Sequence, residues 1–210
     1  MLNFHGKPLL AWTIEQALET PEIDDVFVTS DSREILDIAS SSGAQLIERP
    51  SDISGDNATS ESAVRHALGE VGAGQELILM LQPTSPLRKK RDLGNSIIAF
   101  REQGWDSGFA GAELDDFLIW RKSKENGLDS MNYNWKDRGI RQNRSPDFVE
   151  NGSIYLFRPN ILLEEDNRMG GNIGIFLMEF WQSFEIDEPA DWKLVQTLFQ
   201  VYLGDEYGLD

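Results

Sequence analysis

The chain has 210 residues, a formal net charge of −17 from 19 basic and 36 acidic side chains, and no cysteine. This charge repels phosphate backbones, and the lack of cysteine excludes disulfides, thiolate metal sites and a cysteine nucleophile. No segment is apolar over the roughly 18 residues that a membrane-spanning helix needs, and residues 1–10 lack the pattern of a signal peptide. We therefore expect a cytoplasmic protein with neither nucleic acid nor a membrane as partner.

Hydrophobic periodicity predicts short apolar strands that alternate with amphipathic helices. In chain order the predicted elements are a helix over 8–20, a strand over 26–29, a helix over 33–41, a strand over 44–47, a helix over 62–70, a strand over 77–81, a helix over 92–103, an extended segment over 105–111, strands over 153–157 and 173–178, an extended piece over 184–187 and a closing helix over 189–202. This alternation predicts an α/β fold with a mostly parallel sheet and helices on both faces. Ligands in such folds bind beyond the carboxyl ends of the strands.

The pattern weakens in the middle of the chain. Residues 114–150 are polar and aromatic without a clear period, and so long a segment without regular structure is typical of a functional loop. No repeat, low-complexity tract or linker divides the sequence. We expect one domain over 1–210 with a loop-rich lid or dimerisation excursion at about 114–150.

A stiff polar turn follows the most apolar predicted strand, 77–81. It reads Leu81-Gln82-Pro83-Thr84-Ser85-Pro86-Leu87-Arg88, and its two prolines fix backbone angles and remove two donors. Gln82 would stand at the carboxyl end of the strand, where its amide can donate to and accept from a sugar. The alternative is an ordinary strand-to-helix turn in which Thr84 or Ser85 caps the helix.

A second polar segment, 49–60, precedes the predicted helix over 62–70. It carries the cation Arg49 and several hydroxyl and amide side chains. Hydroxyls beside the N–H groups of a helix N-terminus can hold a base edge or a phosphate. The alternative is a surface loop that ends in a helix cap.

Three arginines, Arg138, Arg141 and Arg144, lie close together in an otherwise acidic chain, shortly before Glu-Asn-Gly-Ser-Ile-Tyr at 150–155. Arginine binds carboxylates and phosphates through two parallel N–H groups. Salt bridges to the acidic surface are the alternative interpretation.

Two carboxylates, Glu185 and Asp187, lie two residues apart on a predicted extended segment. Strand alternation would direct both to the same face, where they could hold Mg²⁺ together with water and a phosphate. Alternatively, Asp187 caps the helix that begins near Pro189. The two roles can coexist.

The order of these segments resembles the acylneuraminate cytidylyltransferase family, which couples CTP to a sialic-acid-type sugar and releases pyrophosphate. The segments that carry the resemblance are Gly6-Lys7-Pro8-Leu9, Val28-Thr29-Ser30-Asp31, Arg49-Pro50, Asp56-Asn57-Ala58-Thr59-Ser60, the turn over 81–88, Arg141-Gln142, Asn151-Gly152-Ser153-Ile154-Tyr155 and Glu185-Ile186-Asp187. It implies a three-layer sandwich around a Rossmann-like sheet of the nucleotide-diphospho-sugar transferase type. The related KDO enzymes usually carry a Ser-Gly-Thr-Asp-Arg-like segment in place of 56–60, so the nine-carbon sugar branch is favoured.

The resemblance also implies roles for individual residues. The cytidine half of CTP would lie against Arg49, Ala58, Thr59 and Ser60. The sugar would lie against Gln82, Arg141, Asn151 and Tyr155. Mg²⁺ would be held by Glu185 and Asp187, and the catalytic groups would be Gln82, Arg141 and Asp187. The implied partners are CTP, a nonulosonic acid and a second copy of the chain in a homodimer.

The sequence departs from the family in two places. Family members carry a strand and a loop of the type Ala-Arg-Gly-Gly-Ser-Lys, which grips the triphosphate, about 20 residues before the Gly-Lys-Pro-Leu segment. Here Gly6 is the sixth residue, so we expect the first strand and this loop to be missing. Glu185 stands where Asp is commoner. A non-catalytic sugar-binding or dimer-forming relative, or another sugar nucleotidyltransferase, are the alternatives.

Overall fold

A computed structural model describes residues 3–55, 58–72, 74–114, 117–124, 127–138, 140 and 145–209. The helices are α1 (Leu9–Leu18), α2 (Arg33–Ser41), α3 (Ser60–Val71), α4 (Asp92–Glu102), α5 (Pro159–Glu165) and α6 (Pro189–Tyr207). The strands are β1 (Asn3–Phe4), β2 (Lys7–Pro8), β3 (Phe27–Ser30), β4 (Gln45–Glu48), β5 (Ile78–Leu81), β6 (Ser107–Glu113), β7 (Trp120–Lys122), β8 (Leu128–Ser130), β9 (Phe148–Phe157) and β10 (Ile173–Leu177). The predicted helices and buried strands are all present, and α5, which begins with a proline in its first turn, was not predicted.

The α/β class and the mostly parallel sheet are confirmed, since three of the four described strands of the main sheet run in one direction and only β9 is reversed. The strand order of this sheet is β10-β6-β9-β5, and β10 runs parallel to β6. Strand β9 runs antiparallel to both of its neighbours. The reason is the position of the segment between β6 and β9. The last residue of β6, Glu113, pairs with the first residue of β9, Phe148, so the chain leaves and re-enters the sheet at the same end of the strands. Strand β9 must therefore run in the opposite direction to β6.

A second, two-stranded sheet is formed by β3 and β4, which run parallel. Among the described strands, β3 pairs only with β4 and β5 pairs only with β9, so each has one edge without a strand partner. The first described residues form the antiparallel hairpin β1–β2 and join neither sheet. That hairpin is held by Phe4, which is fully buried and accepts a hydrogen bond from the Trp12 indole at its carbonyl.

Helices cover both faces of the main sheet, because β9 sends alternate side chains to opposite sides. Ile154 and Leu156 pack with side chains of α1 and α4. Tyr155 and Phe157 pack with side chains of α3 and α5 on the other face. Helix α6 packs behind α1 through a third cluster that includes Phe199. The main sheet is therefore the middle layer, with helices on both of its faces.

The segment between β6 and β9 contains regular structure that the sequence did not predict. Strands β7 and β8 form an antiparallel hairpin. Its base is fixed by Asn132, whose amide donates to the Phe117 carbonyl and to Asp147. The assignment of this segment as a lid or dimerisation arm, and of 1–210 as one domain, stays a prediction.

In the part of the chain that the structure describes, no helix is long and apolar enough to cross a membrane.

Candidate active site

Two chain segments meet beyond the carboxyl end of β5. The first is the turn after β5, closed by a hydrogen bond from the Ser85 N–H to the Gln82 carbonyl at 3.2 Å. The second is the segment before α6, whose Ile186 N–H donates to the Thr84 carbonyl at 2.9 Å. This backbone bond places Glu185 beside the turn, where the Ser85 hydroxyl donates to its Oε2 at 3.2 Å.

A bulge in β9 forms the third wall of the site. The register between β6 and β9 shifts between Phe109 and Gly111, where β9 contributes the extra residues around Gly152. Gly152 has φ +67°, a left-handed conformation that favours glycine. A Cβ at this position would lie 2.6 Å from Glu185 Oε2, 2.9 Å from Gln82 Oε1 and 3.1 Å from Ser85 Oγ. The absence of a side chain here therefore lets three polar groups converge.

Asn151 stabilises the bulge from inside. Its side chain is 2% exposed, its Oδ1 accepts from the Ser153 N–H at 3.1 Å, and its Nδ2 lies 3.1 Å from Met178 Sδ. The amide is thus engaged within the fold. Its predicted contact with the sugar stays a prediction.

Arg88 ties the turn and the bulge to helix α1. It is 0% exposed, and its Nη2 donates to the Gln82 carbonyl at 2.8 Å and the Ser153 carbonyl at 2.9 Å. Its Nη1 donates to Thr13 Oγ1 and to Gln16 Oε1 on α1. Burial lowers its pKa to about 10, a shift that the charges of Tyr207 and Asp92 partly oppose. Among the described residues no carboxylate bonds it directly, and its hydrogen bonds go to neutral oxygens.

We expect Arg88→Met to lower the free energy of unfolding by about 3 kcal/mol or more, because it leaves several buried acceptors without a donor. Urea denaturation measures this change. Arg33→Met is the matched control, since the Arg33 side chain is 79% exposed and pairs with Asp37 on its own helix. The control should change stability by less than about 0.5 kcal/mol. Equal midpoints for the two variants would contradict a role for Arg88 in fixing the site.

The Glu185 and Asp187 carboxyl groups lie within hydrogen-bonding reach of each other. Burial raises the pKa of Glu185, the charge of Asp187 raises it further, and the hydrogen bond from Ser85 opposes the shift. The alternative that Asp187 caps α6 is wrong. Glu188 is the N-cap, and Asp191 accepts from the N–H groups of both Asp187 and Glu188.

This carboxylate pair suits a hard divalent cation, which would relieve the repulsion that raises the Glu185 pKa. Within the described ranges, no group of three or more carboxylate or imidazole side chains could hold a metal ion. A cation bound by Glu185 and Asp187 would therefore take its other ligands from water or a phosphate.

Tyr155 lies on the α3 face of the sheet, and in the pairing of β9 with β5 it stands opposite Met80. Its hydroxyl donates to Glu150 Oε2 at 3.1 Å, and the guanidinium of Arg168 lies 4.4 Å from its ring centroid. Burial raises the Tyr155 pKa to about 12, and the nearby charges of Glu150 and Glu185 add to the shift. The phenol is therefore a neutral donor at physiological pH.

The loop before α3 is built as the sequence analysis anticipated for a helix cap. Thr59 is the N-cap and its Oγ1 accepts from the Ser62 N–H at 3.1 Å. Ala58 and Thr59 are exposed and Ser60 is half-buried. Arg49 donates from Nε to Ser54 Oγ at 3.1 Å and lies 3.9 Å from Asp31. The first turn of α3 is joined to the loop between α5 and β10, since Glu61 pairs with Arg168.

The structure thus brings Gln82, Glu185 and Asp187 together at one strand end. Tyr155 lies close enough to Glu185 for the carboxylate charge to raise the Tyr155 pKa. Arg141, predicted as a catalytic and sugar-binding residue, lies outside the described residues, as do Asp56, Asn57, Gln142 and Arg144. Sequence reasoning gave no site role to Ser85, Gly152, Arg88 or Arg168. The local signal that could have indicated a role for Arg88 is its position at the end of a turn that two prolines make rigid.

Comparison with known families identifies the chain. A family model described as cytidylyltransferase matches residues 1–179. The chain belongs to the cytidylyltransferase family. The resemblance predicted from the ordered motifs is confirmed.

Several curated cytidylyltransferases are similar to this chain. N-acylneuraminate cytidylyltransferase A of Danio rerio is 29% identical over 194 residues, covering 91% of this chain and 44% of the relative. CMP-N,N'-diacetyllegionaminic acid synthase of Legionella pneumophila is 28% identical over 205 residues, covering 93% of this chain and 87% of the relative. N-acylneuraminate cytidylyltransferase of Oncorhynchus mykiss is 26% identical, covering 98% and 47%. The chain spans about half the length of the two fish relatives.

Solved structures confirm the fold of this cytidylyltransferase. A CMP-2-keto-3-deoxy-manno-octonic acid synthetase complexed with CTP superposes with a TM-score of 0.70 at 16% identity, covering 96% of this chain and 91% of the other. A 4-diphosphocytidyl-2C-methyl-D-erythritol synthase from Anaerococcus prevotii gives 0.68 at 13% identity, covering 95% and 92%.

Proposed function

We propose that this protein transfers CMP from CTP to a sialic-acid-type nonulosonic acid and releases pyrophosphate. The observation that carries the proposal is the convergence of Gln82, Ser85 and Glu185 on the side-chain-free position of Gly152, next to Asp187. These groups offer amide, hydroxyl and carboxylate oxygens at the carboxyl end of a strand, where α/β folds bind ligands. The names of the curated relatives, which include N-acylneuraminate and legionaminic acid enzymes, support the acidic nine-carbon sugar.

The proposed reaction needs no covalent enzyme intermediate. The anomeric hydroxyl oxygen of the sugar attacks the α-phosphorus of CTP, the bond from that phosphorus to the bridging oxygen breaks, and pyrophosphate leaves. The hydroxyl proton is lost to solvent or a nearby carboxylate. Holding the two reactants in line supplies much of the rate enhancement. Gln82 would orient the sugar, and the Tyr155 hydroxyl oxygen, whose proton is donated to Glu150, would accept a hydrogen bond from it.

Mg²⁺ is the proposed cofactor, held by Glu185 and Asp187. When bound, it would neutralise charge on the α-phosphate and on the departing pyrophosphate. The chain's own contribution is to fix the pair: Ser85 orients Glu185, and the Asp191 carboxylate holds the backbone of Asp187. Both carboxylates are thereby presented on the same side.

The nucleotide would bind at the loop before α3, through Arg49, Ala58, Thr59 and Ser60. Helix α3 has 12 residues, so the N–H groups of its first turn carry a useful partial positive charge. Glu61, in the same turn, connects this loop to the sugar side through Arg168.

The test is pyrophosphate release from CTP with N-acetylneuraminic, legionaminic and pseudaminic acids, with and without Mg²⁺. We expect Mg²⁺-dependent release with one of these sugars and none with ATP or GTP. Release with another nucleotide would favour the alternative of a different sugar nucleotidyltransferase. Calorimetric binding of a sugar without any pyrophosphate release would favour the alternative of a non-catalytic sugar-binding relative.

A homodimer is also proposed, formed through the segment between β6 and β9. Large apolar side chains are exposed there, including Trp120 at 42%, Leu128 at 61% and Trp135 at 53%. Phe117, at 52% exposure, also stacks on Phe180 just outside the segment. Such a cluster is unusual on a monomer surface. Sedimentation equilibrium should give twice the chain mass of 23.8 kDa, and a single-chain mass would contradict the dimer.

A further inference from the structure

Arg168 stands on the α3 face of the sheet with its guanidinium over the ring of Tyr155. Its carbon Cζ lies 4.4 Å from the Tyr155 ring centroid, and its Nη1 lies 3.3 Å from Met80 Sδ. Its Nε forms an ion pair with Glu61 at 3.0 Å. The side chain is 21% exposed, so the guanidinium is held in place but reachable.

The loop that carries Arg168 is fixed to the sheet. Ser107 Oγ donates to the Gly170 carbonyl at 2.7 Å and accepts from the Gly170 N–H at 2.9 Å. The Met169 N–H donates to Asn167 Oδ1 at 2.9 Å. A charged group on so well fixed a loop loses little entropy when a ligand binds it.

The described contacts of the guanidinium leave hydrogen-bond donors unused. Nε pairs with Glu61 and Nη1 lies against the Met80 sulfur, and no hydrogen bond joins Nη2 to a residue that the structure describes. Sulfur is a weak acceptor, so the contact with Met80 leaves most of the Nη1 donor strength unused. An arginine fork with free N–H groups suits a planar carboxylate, which it can bind through two parallel hydrogen bonds.

The other described arginines near α3, β5 and β9 already have hydrogen-bond or ion-pair partners or lie at another end of the sheet. Arg88 is fully buried and bonded on both Nη atoms. Arg65 is paired with Asp166 and also donates to the Leu162 carbonyl. Arg158 lies at the opposite end of the sheet, where its backbone N–H donates to the Asp106 carbonyl. Among these arginines, Arg168 is the one whose guanidinium is partly exposed and also contacts a proposed sugar-binding residue, Tyr155.

Arg168 also stands close to the proposed reaction centre. Met80, which it contacts, precedes Gln82 by two residues, so their side chains leave the strand on the same face about 7 Å apart. Tyr155 connects Arg168 to Glu150 through its hydroxyl and lies near Glu185. An acidic sugar here would meet several carboxylates, and a cation is needed to offset that repulsion.

We propose that Arg168 binds the carboxylate of the acidic sugar and so sets the preference for an acidic over a neutral sugar. This inference rests on the proposed function, since it names the group that recognises the proposed substrate class. The Tyr155 ring lies against the guanidinium and Glu61 pairs with its Nε, which leaves the edge formed by Nη1 and Nη2 for the substrate.

The experiment compares N-acetylneuraminic acid with its C1 methyl ester as ligands, measured by calorimetry on the full chain. The wild type should bind the acid about 10- to 100-fold more tightly than the ester, as expected for a charge-assisted pair. Arg168→Gln should lose this preference, and Arg168→Lys should retain part of it. Arg65→Gln is the matched control, because Arg65 sits on the same face but is paired with Asp166, and it should keep the full preference.

Kinetics separate this inference from the proposed function. Where the wild type releases pyrophosphate, Arg168→Gln should raise the KM for the acid sugar about 10- to 100-fold while the KM for CTP changes less than about twofold. Equal loss of acid and ester binding in Arg168→Gln would show that Arg168 only supports Tyr155, and would overturn the inference while leaving the function intact. A wild type that binds acid and ester equally, or binds neither, also overturns it.

Discussion

Asp187→Asn is expected to lower Mg²⁺-dependent pyrophosphate release by about 100-fold or more, the scale seen when one electrostatic stabiliser of a transition state is removed. The reason is that the amide keeps the shape of the carboxylate but loses the charge that would hold the cation beside Glu185. The fold should not change, because Asp187 is exposed and its bond to Asp191 is made by the backbone N–H. Turnover at saturating CTP and sugar, titrated with Mg²⁺, measures the effect.

The control for this prediction is Asp205→Asn, which removes an exposed carboxylate of α6 away from the site. It loses the same charge from the chain, so it tests whether net charge alone matters. We expect its turnover and Mg²⁺ requirement to match the wild type. If Asp187→Asn also keeps wild-type turnover, the proposed metal site at this pair is wrong.

Gly152→Ala is expected to lower turnover by about 100-fold, because a displacement of about 1 Å at reacting groups costs that much. The new Cβ would lie 2.6 Å from Glu185 Oε2 and 2.9 Å from Gln82 Oε1, so both groups would have to move. The left-handed backbone at φ +67° adds about 1–2 kcal/mol of strain. Turnover and urea denaturation of the same preparation separate the two effects.

Gly208→Ala is a closely matched control. Gly208 has φ +69°, and no atom lies within 4 Å of the position its Cβ would take. The substitution therefore introduces similar backbone strain without a collision. We expect Gly208→Ala to lose only the stability that backbone strain costs, Gly152→Ala to lose more because of the added collision, and turnover to fall only in Gly152→Ala. Equal turnover in the two would mean that the convergence at Gly152 has no functional importance.

Local periodicity identified most elements because their buried faces follow a strand or helix repeat. The helix over 33–41 was predicted with the bounds that the structure gives it, and the strand over 77–81 within one residue. The missed elements are ones whose stability comes from elsewhere. Hairpin β7–β8 is largely exposed, and its base is closed by Asn132, which no hydrophobic pattern reveals.

The direction of β9 could not be read from its residues. An apolar strand has the same composition whether it runs parallel or antiparallel, and the choice depends on where the preceding segment re-enters the sheet. Here that segment re-enters the sheet at the end of the strands where it left, so β9 runs antiparallel to β6. The prediction of a mostly parallel sheet therefore did not anticipate this one reversed strand.

The sequence by itself determined the α/β class, the family, and the candidate oxygen ligands Glu185 and Asp187, because these depend on local spacing and on the order of motifs. Only the tertiary structure decided that Gly152 leaves room for Glu185 and Gln82, that Arg88 fixes the turn to the bulge, and that Arg168 lies on Tyr155. Each of these contacts joins residues that are distant in the chain, and such proximity is set by packing and backbone pairing.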